Sequence, residues 1–124
     1  MAEKESKIVL ELGTVSYSSD VIATIAGLAA VEISGVSGMS GSFVSGITEM
    51  LGRKDFTKGV KVELNNADCT VNMSLIVEYG VDIQKVCADV QNNVHKAIDS
   101  MTGLNILAIN IFVQGIFLGD NSDK

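Results

Sequence analysis

The sequence predicts an α/β domain of the two-layer α+β kind. A small mixed β-sheet carries helices on one face, in the order β-α-(short α)-β-β-α-β. Three observations lead there. Residues 60–65 and 71–79 alternate apolar with polar around Asn65-Asn66-Ala67-Asp68, which is hairpin patterning. Residues 83–101 repeat apolar side chains every three or four positions, the period of an amphipathic helix. Residues 106–113 read as the last strand, with Leu107, Ile109, Ile111 and Val113 on one face and Ile106, Ala108, Asn110 and Phe112 on the other.

Residues 1–7 are polar and mixed in charge and read as a flexible leader to a single domain over 8–118. Ile8, Leu10 and Leu12 alternate with Val9 and Glu11, so a short strand is expected to run toward Tyr17 with Gly13 as a bulge. Ser18-Ser19-Asp20 then starts a helix. A Ser hydroxyl accepts from a free N–H of the first turn, and Asp20 meets the positive end of the helix dipole. This helix is expected to reach about Ile33, with Ile22, Ile25, Ala26, Ala29 and Ile33 along one stripe. Its small residues let another backbone approach closely.

The Ser/Gly-rich stretch from Ser34 to Ser42 reads as loop. Phe43, Val44, Ile47, Met50 and Leu51 have helical spacing and predict a short amphipathic helix ending at Gly52. Arg53 to Gly59 is a polar, basic connector to the hairpin, which Gly80 ends. Asp82 caps the next helix, where Ile83, Val86, Cys87, Val90, Val94, Ala97, Ile98 and Met101 form the apolar face; Gly103 fits just past its end. A crossover through this helix sets the last strand parallel to 70–79. Residues 119–124 form a short flexible tail.

Composition excludes several functions. The 124 residues hold 9 Lys+Arg and 15 Asp+Glu, a net charge of −6, which argues against a globally basic nucleic-acid binder. One histidine and two cysteines cannot build a multi-His or four-Cys metal site from one copy, so no metal or cofactor is expected. The start lacks the basic and apolar regions of a signal peptide. The strongly apolar stretch from Val21 to Ile33 falls short of the roughly 20 residues a membrane span needs. A cytoplasmic protein is expected.

Several segments carry a family likeness. They are Val21-Ile22-Ala23-Thr24-Ile25-Ala26-Gly27-Leu28-Ala29-Ala30-Val31-Glu32 with Gly35-Val36, then Met50-Leu51-Gly52-Arg53-Lys54 and Gly59-Val60-Lys61-Val62-Glu63. Val77-Glu78-Tyr79-Gly80-Val81, Val90-Gln91-Asn92-Asn93-Val94 and Met101-Thr102-Gly103-Leu104 continue it, and Asn110-Ile111-Phe112-Val113-Gln114-Gly115-Ile116 closes it. In this order, over about residues 14–118, the chain resembles the alkaline shock protein family of envelope stress-response proteins from Gram-positive bacteria. The resemblance implies a small, abundant, non-enzymatic cytoplasmic protein. It also implies that some members are held at the membrane by an anchored relative. It carries over no catalytic residues. Two departures stand out. Asp82-Ile83-Gln84 replaces a Pro that many members have after Tyr-Gly-Val, and the tail after Leu118 is short. The short tail puts tail-mediated contacts in doubt.

Four candidate sites remain. His95 is the one imidazole, with Gln91 and Asp99 four residues to either side; it reads as a surface helix residue, because no nucleophile accompanies it. Cys87 falls on the apolar helix stripe and is expected to be buried, whereas Cys69, beside the hairpin turn, is expected to be the more accessible thiol. Gly35 to Gly41 follows a helix and lacks the Gly-Lys-Ser/Thr ending of a P-loop, so it reads as a connector rather than a phosphate cradle. Arg53, Lys54, Lys58 and Lys61 are either a solvated loop or a contact for anionic lipid headgroups, nucleic acid or an acidic partner.

The far face of the sheet says most about function. If Val71, Met73, Leu75, Val77, Leu107, Ile109, Ile111 and Val113 face the helices, then Ile76, Ile106, Ala108 and Phe112 face away. Ile76, Ile106 and Phe112 are thus the candidate interaction face, unless another part of the chain covers them. The expected function is a non-enzymatic interaction module in cell-envelope stress response. Its partners would be copies of itself or a homologous membrane-anchored protein, which would bring it to the membrane. The alternative is a small nucleic-acid-binding module using the basic loop 53–61, against which the acidic charge and scarce aromatics count.

Overall fold

A computed structural model describes residues 6–39 and 58–118. The expected short helix at 43–51, Arg53 and Lys54 of the basic cluster, and the tail at 119–124 lie outside the described residues.

The chain opens with a hairpin, not with one strand bulged at Gly13. β1 (Ser6–Leu10) and β2 (Gly13–Tyr17) pair antiparallel, Leu10 opposite Gly13, and the chain reverses at Glu11-Leu12. Strand β1 therefore begins inside the segment read as a leader. Ile8 and Tyr17 hold the base of the hairpin against the core. The Lys7 N–H donates to the Asn66 carbonyl at 3.3 Å, and the Tyr17 hydroxyl donates to the Thr102 carbonyl at 3.3 Å. These ties supply what an isolated two-stranded hairpin lacks in water.

Helix α1 (Ser19–Val31) starts where the sequence places it. The Ser18 hydroxyl accepts from the Val21 N–H at 3.4 Å, and Asp20 lies in the first turn. Its buried face is Ile22 with Ala23, Ala26, Gly27, Ala29 and Ala30, so the helix packs through small residues. Gly35, at φ +102, then turns the chain into β3 (Val36–Met39), within the stretch read as loop. Backbone pairing accounts for this strand: the Gly35 carbonyl accepts from the Glu78 N–H at 2.9 Å, and Val36 lies opposite Val77.

β4 (Val60–Asn65) and β5 (Asp68–Glu78) form the expected hairpin, with Asn66 at φ +57 in its turn. Helix α2 (Ile83–Thr102) is capped by Asp82, whose Oδ1 accepts from the Lys85 N–H at 3.3 Å, and it ends at a left-handed Gly103. β6 (Asn105–Phe117) runs parallel to β5, the direction the crossover predicts. It occupies one edge of β5 along 68–78. Since a strand has two edges, β3 (opposite 75–77) and β4 (opposite 68–73) lie end to end along the other.

The two helices pack on each other and on one face of this sheet, α1 over β3 and β4 and α2 over β6. The Asn93 amide joins them, donating to the Ala29 carbonyl at 2.8 Å and to Glu32 Oε1 at 3.1 Å. Between the layers, Ile22, Val71, Met73, Leu75, Val77, Val90, Val94 and Ile98 are fully buried. Each aliphatic side chain of this size contributes about 1.5–3 kcal/mol when taken out of water.

Candidate interaction surface

The pleat of β5 decides what the second face of the sheet presents. With Cys69, Val71, Met73, Leu75 and Val77 buried toward the helices, Thr70, Asn72, Ser74 and Ile76 point the other way and are half-buried. Across the parallel register Thr70 lies opposite Ala108, Asn72 opposite Asn110 and Ser74 opposite Phe112. The Asn110 side chain donates to Asn72 Oδ1 at 2.9 Å, and Asn105 donates to Asp68 Oδ1 at 3.1 Å. On the same face Phe112 is 56% exposed. It borders a shallow depression of about 330 Å³ that Gly59, Val60, Lys61, Asn72 and Ser74 also line.

Two of the three residues expected on this face stand there. Ile76 and Phe112 share it, while Ile106 lies opposite Cys69 and packs against the core. A register shift explains the difference. Cys69 pairs with Ile106 and Thr70 with Ala108, so Leu107 is an extra residue and the alternation changes phase across it. Leu107, expected under the helices, is 61% exposed instead. A second shift leaves Gln114 unpaired. Val113, also expected under the helices, is exposed along with Ile116.

The thiols also exchange places. Cys69 is buried and Cys87 half-buried, both free. Cys69 shares its face with Val71, opposite Leu64 and Ile106, so the pleat overrides its nearness to the turn. Burial, and then the Asp68 carboxylate, push its thiol pKa up. Burial also raises that of Cys87. Neither environment favours the thiolate.

His95 lies on the exposed side of α2. Its neighbour Gln91 donates to the Ile109 carbonyl at 2.9 Å and so serves the helix–sheet contact. Among the described residues no group of three or more His, Cys, Asp or Glu is placed to hold a metal ion. Lys58 and Lys61 are exposed at the entry to β4. The segment read as a connector from Gly35 is in part strand β3, its backbone groups engaged with β5.

A family model for the alkaline shock protein 23 family, whose function is described as cell envelope-related, matches residues 7–118. The chain belongs to this family. It is similar to the uncharacterized protein YqhY of Bacillus subtilis, 43% identical over 105 residues, covering 85% of this chain and 78% of that protein. It is also similar to the uncharacterized protein YloU of the same organism, 36% identical over 106 residues, covering 84% of this chain and 88% of the relative. A stress response regulator gls24 homolog of Streptococcus pyogenes is 26% identical over 105 residues, covering 84% of this chain and 59% of that protein. No solved structure matches the chain. No helix among the described residues is long and apolar enough to cross a membrane.

Proposed function

We propose that this protein is a non-enzymatic, cytoplasmic interaction module of the cell-envelope stress response. It binds copies of itself or a membrane-anchored relative through the sheet face that carries Ile76 and Phe112, and the relative brings it to the membrane. The observation behind this reading is the composition of that face. An exposed aromatic ring and a half-buried isoleucine sit among Thr70, Asn72, Ser74 and Asn110, with Lys61 and Glu63 of β4 beside them on the same face, so that apolar centres meet a polar and charged border as in an interface. The family's cell envelope-related description and the stress-response name of the streptococcal relative support the setting.

Light scattering and circular dichroism on Phe112→Glu test this reading. A charge at a half-exposed position leaves the fold intact and weakens association. A wild type that stays monomeric and has no partner contradicts the proposal. Unfolding of the variant makes Phe112 a core residue and overturns the assignment of the face.

A further inference from the structure

We propose that the outer edge of β6, at Ile111 and Val113, is the joint at which a second copy of this chain adds its own β6, so that two sheets become continuous. This rests on the interaction-module reading above and specifies a backbone contact within it.

The starting point is hydrogen bonding. In a strand, successive residues direct their N–H and C=O groups to opposite sides. The Ile109 carbonyl accepts from the Gln91 side chain, so Ile109 presents its backbone to the side away from β5. Ile111 and Val113 share that orientation, since the register with β5 is unbroken from Ala108 to Val113. Among the described residues, β5 is the one strand paired with β6. Gln91 covers the N-terminal part of the edge. The backbone of Ile111 and Val113 beyond it is a template for another strand.

Charge argues for a second copy as that strand. Residues 105–118 contain no Asp, Glu, Lys or Arg, although the chain has a net charge of −6. Two like-charged molecules meet with least repulsion along a neutral element. They find here none of the lysines or prolines that keep an edge from pairing. A partner recognised by charge would find nothing to pair with. A strand laid antiparallel on its own copy is also self-complementary about a two-fold axis, so the contact closes as a dimer. Val113, 39% exposed, and Ile116, 50% exposed, add apolar cover beside the backbone bonds.

Proline separates this edge from the rest of the sheet. At position 113 it removes an N–H that β5 does not use, whereas at position 112 it removes a bond of the β5 ladder. Sedimentation velocity over a hundredfold concentration range, with amide exchange at both ends, is the test. The wild type dimerises, and the Ile111 and Val113 amides become protected at least tenfold as concentration rises. Val113→Pro weakens dimerisation at least tenfold with an unchanged circular dichroism spectrum. Should that variant unfold, Val113→Lys at the same exposed position gives the reading. Dimerisation unaltered in the variant overturns the edge joint and leaves the open-face reading standing. Protection of both amides at every concentration shows an edge covered within the chain and also overturns it. A monomeric wild type that binds a membrane-anchored relative through Phe112 overturns the edge alone. Association with anionic lipid vesicles in place of dimerisation overturns it as well.

Discussion

The Gln91 side chain donates to the main-chain carbonyl of Ile109 at 2.9 Å, tying the middle of α2 to the outer edge of β6. One polar side chain thus satisfies an edge group that no strand among the described residues reaches. Gln91→Leu removes this bond. The expected loss is about 1 kcal/mol in urea unfolding, the usual net value of such a bond. No measurable loss would mean that water replaces the amide without cost.

Gly35 and Val86 set the distance between the start of β3 and α2. A Cβ built on Gly35 would stand 2.8 Å from Val86 Cγ2, and the residue is at φ +102. Gly35→Ala therefore meets both a clash and backbone strain, and a loss of about 2–4 kcal/mol is expected in denaturant unfolding. Gly80→Ala is the control, because at φ +97 it meets nothing within 4 Å. It should cost only the strain, about 1 kcal/mol. Equal losses in the two variants would remove the contact with Val86 from the account.

Native thiol labelling should modify Cys87 before Cys69, since Cys87 is half-buried and Cys69 buried. The pH dependence follows from the raised thiol pKa values. As pH rises through the ordinary thiol range, the unfolded chain loses these protons first and the folded chain keeps them. The unfolded state is then favoured. The stability linked to the thiols is complete at neutral pH and declines as pH climbs toward the raised folded values. Urea midpoints measured at increasing alkaline pH should fall less steeply in Cys69→Ala than in the wild type. Parallel slopes would exclude Cys69 as a contributor.

Asp82 caps α2 through the Lys85 N–H, and Asp82→Ala should cost about 0.5–2 kcal/mol. Asp82→Asn, which keeps the accepting oxygen, should recover most of that loss in thermal unfolding. Equal destabilisation by both would point to charge at the helix start rather than to the cap bond.

Much of the fold is legible because period and punctuation agree. Asp82, the Val86-Val90-Val94-Ile98 stripe and Gly103 delimit α2 from sequence, and the alternation of 71–77 places the buried face of β5. Elements that depend on a distant partner are harder to read. β3 carries the composition of a loop and is a strand because β5 offers it backbone bonds. The reversal at Glu11-Leu12 is closed by Gly13 at φ +145, which the sequence alone reads equally well as a bulge, and it is held by Ile8 and Tyr17 meeting the core. Ile106 eludes the alternation rule because the extra residue, Leu107, shows only against β5. Of the candidate site, Phe112 and Ile76 are legible in sequence. The outer edge of β6 is not, since it follows from the strand order among the described residues and from the hydrogen bond of Gln91.

In the proposed function the sheet face carrying Ile76 and Phe112 binds copies of this chain or a membrane-anchored relative. Capture from native membrane and cytoplasmic fractions with wild type and Phe112→Glu as paired baits, read by mass spectrometry, tests it most directly. The account predicts that the wild type recovers a membrane-anchored member of its own family from the membrane fraction and that Phe112→Glu loses it. Recovery of the same relative by both baits, or by neither when the wild type also stays monomeric, would contradict it.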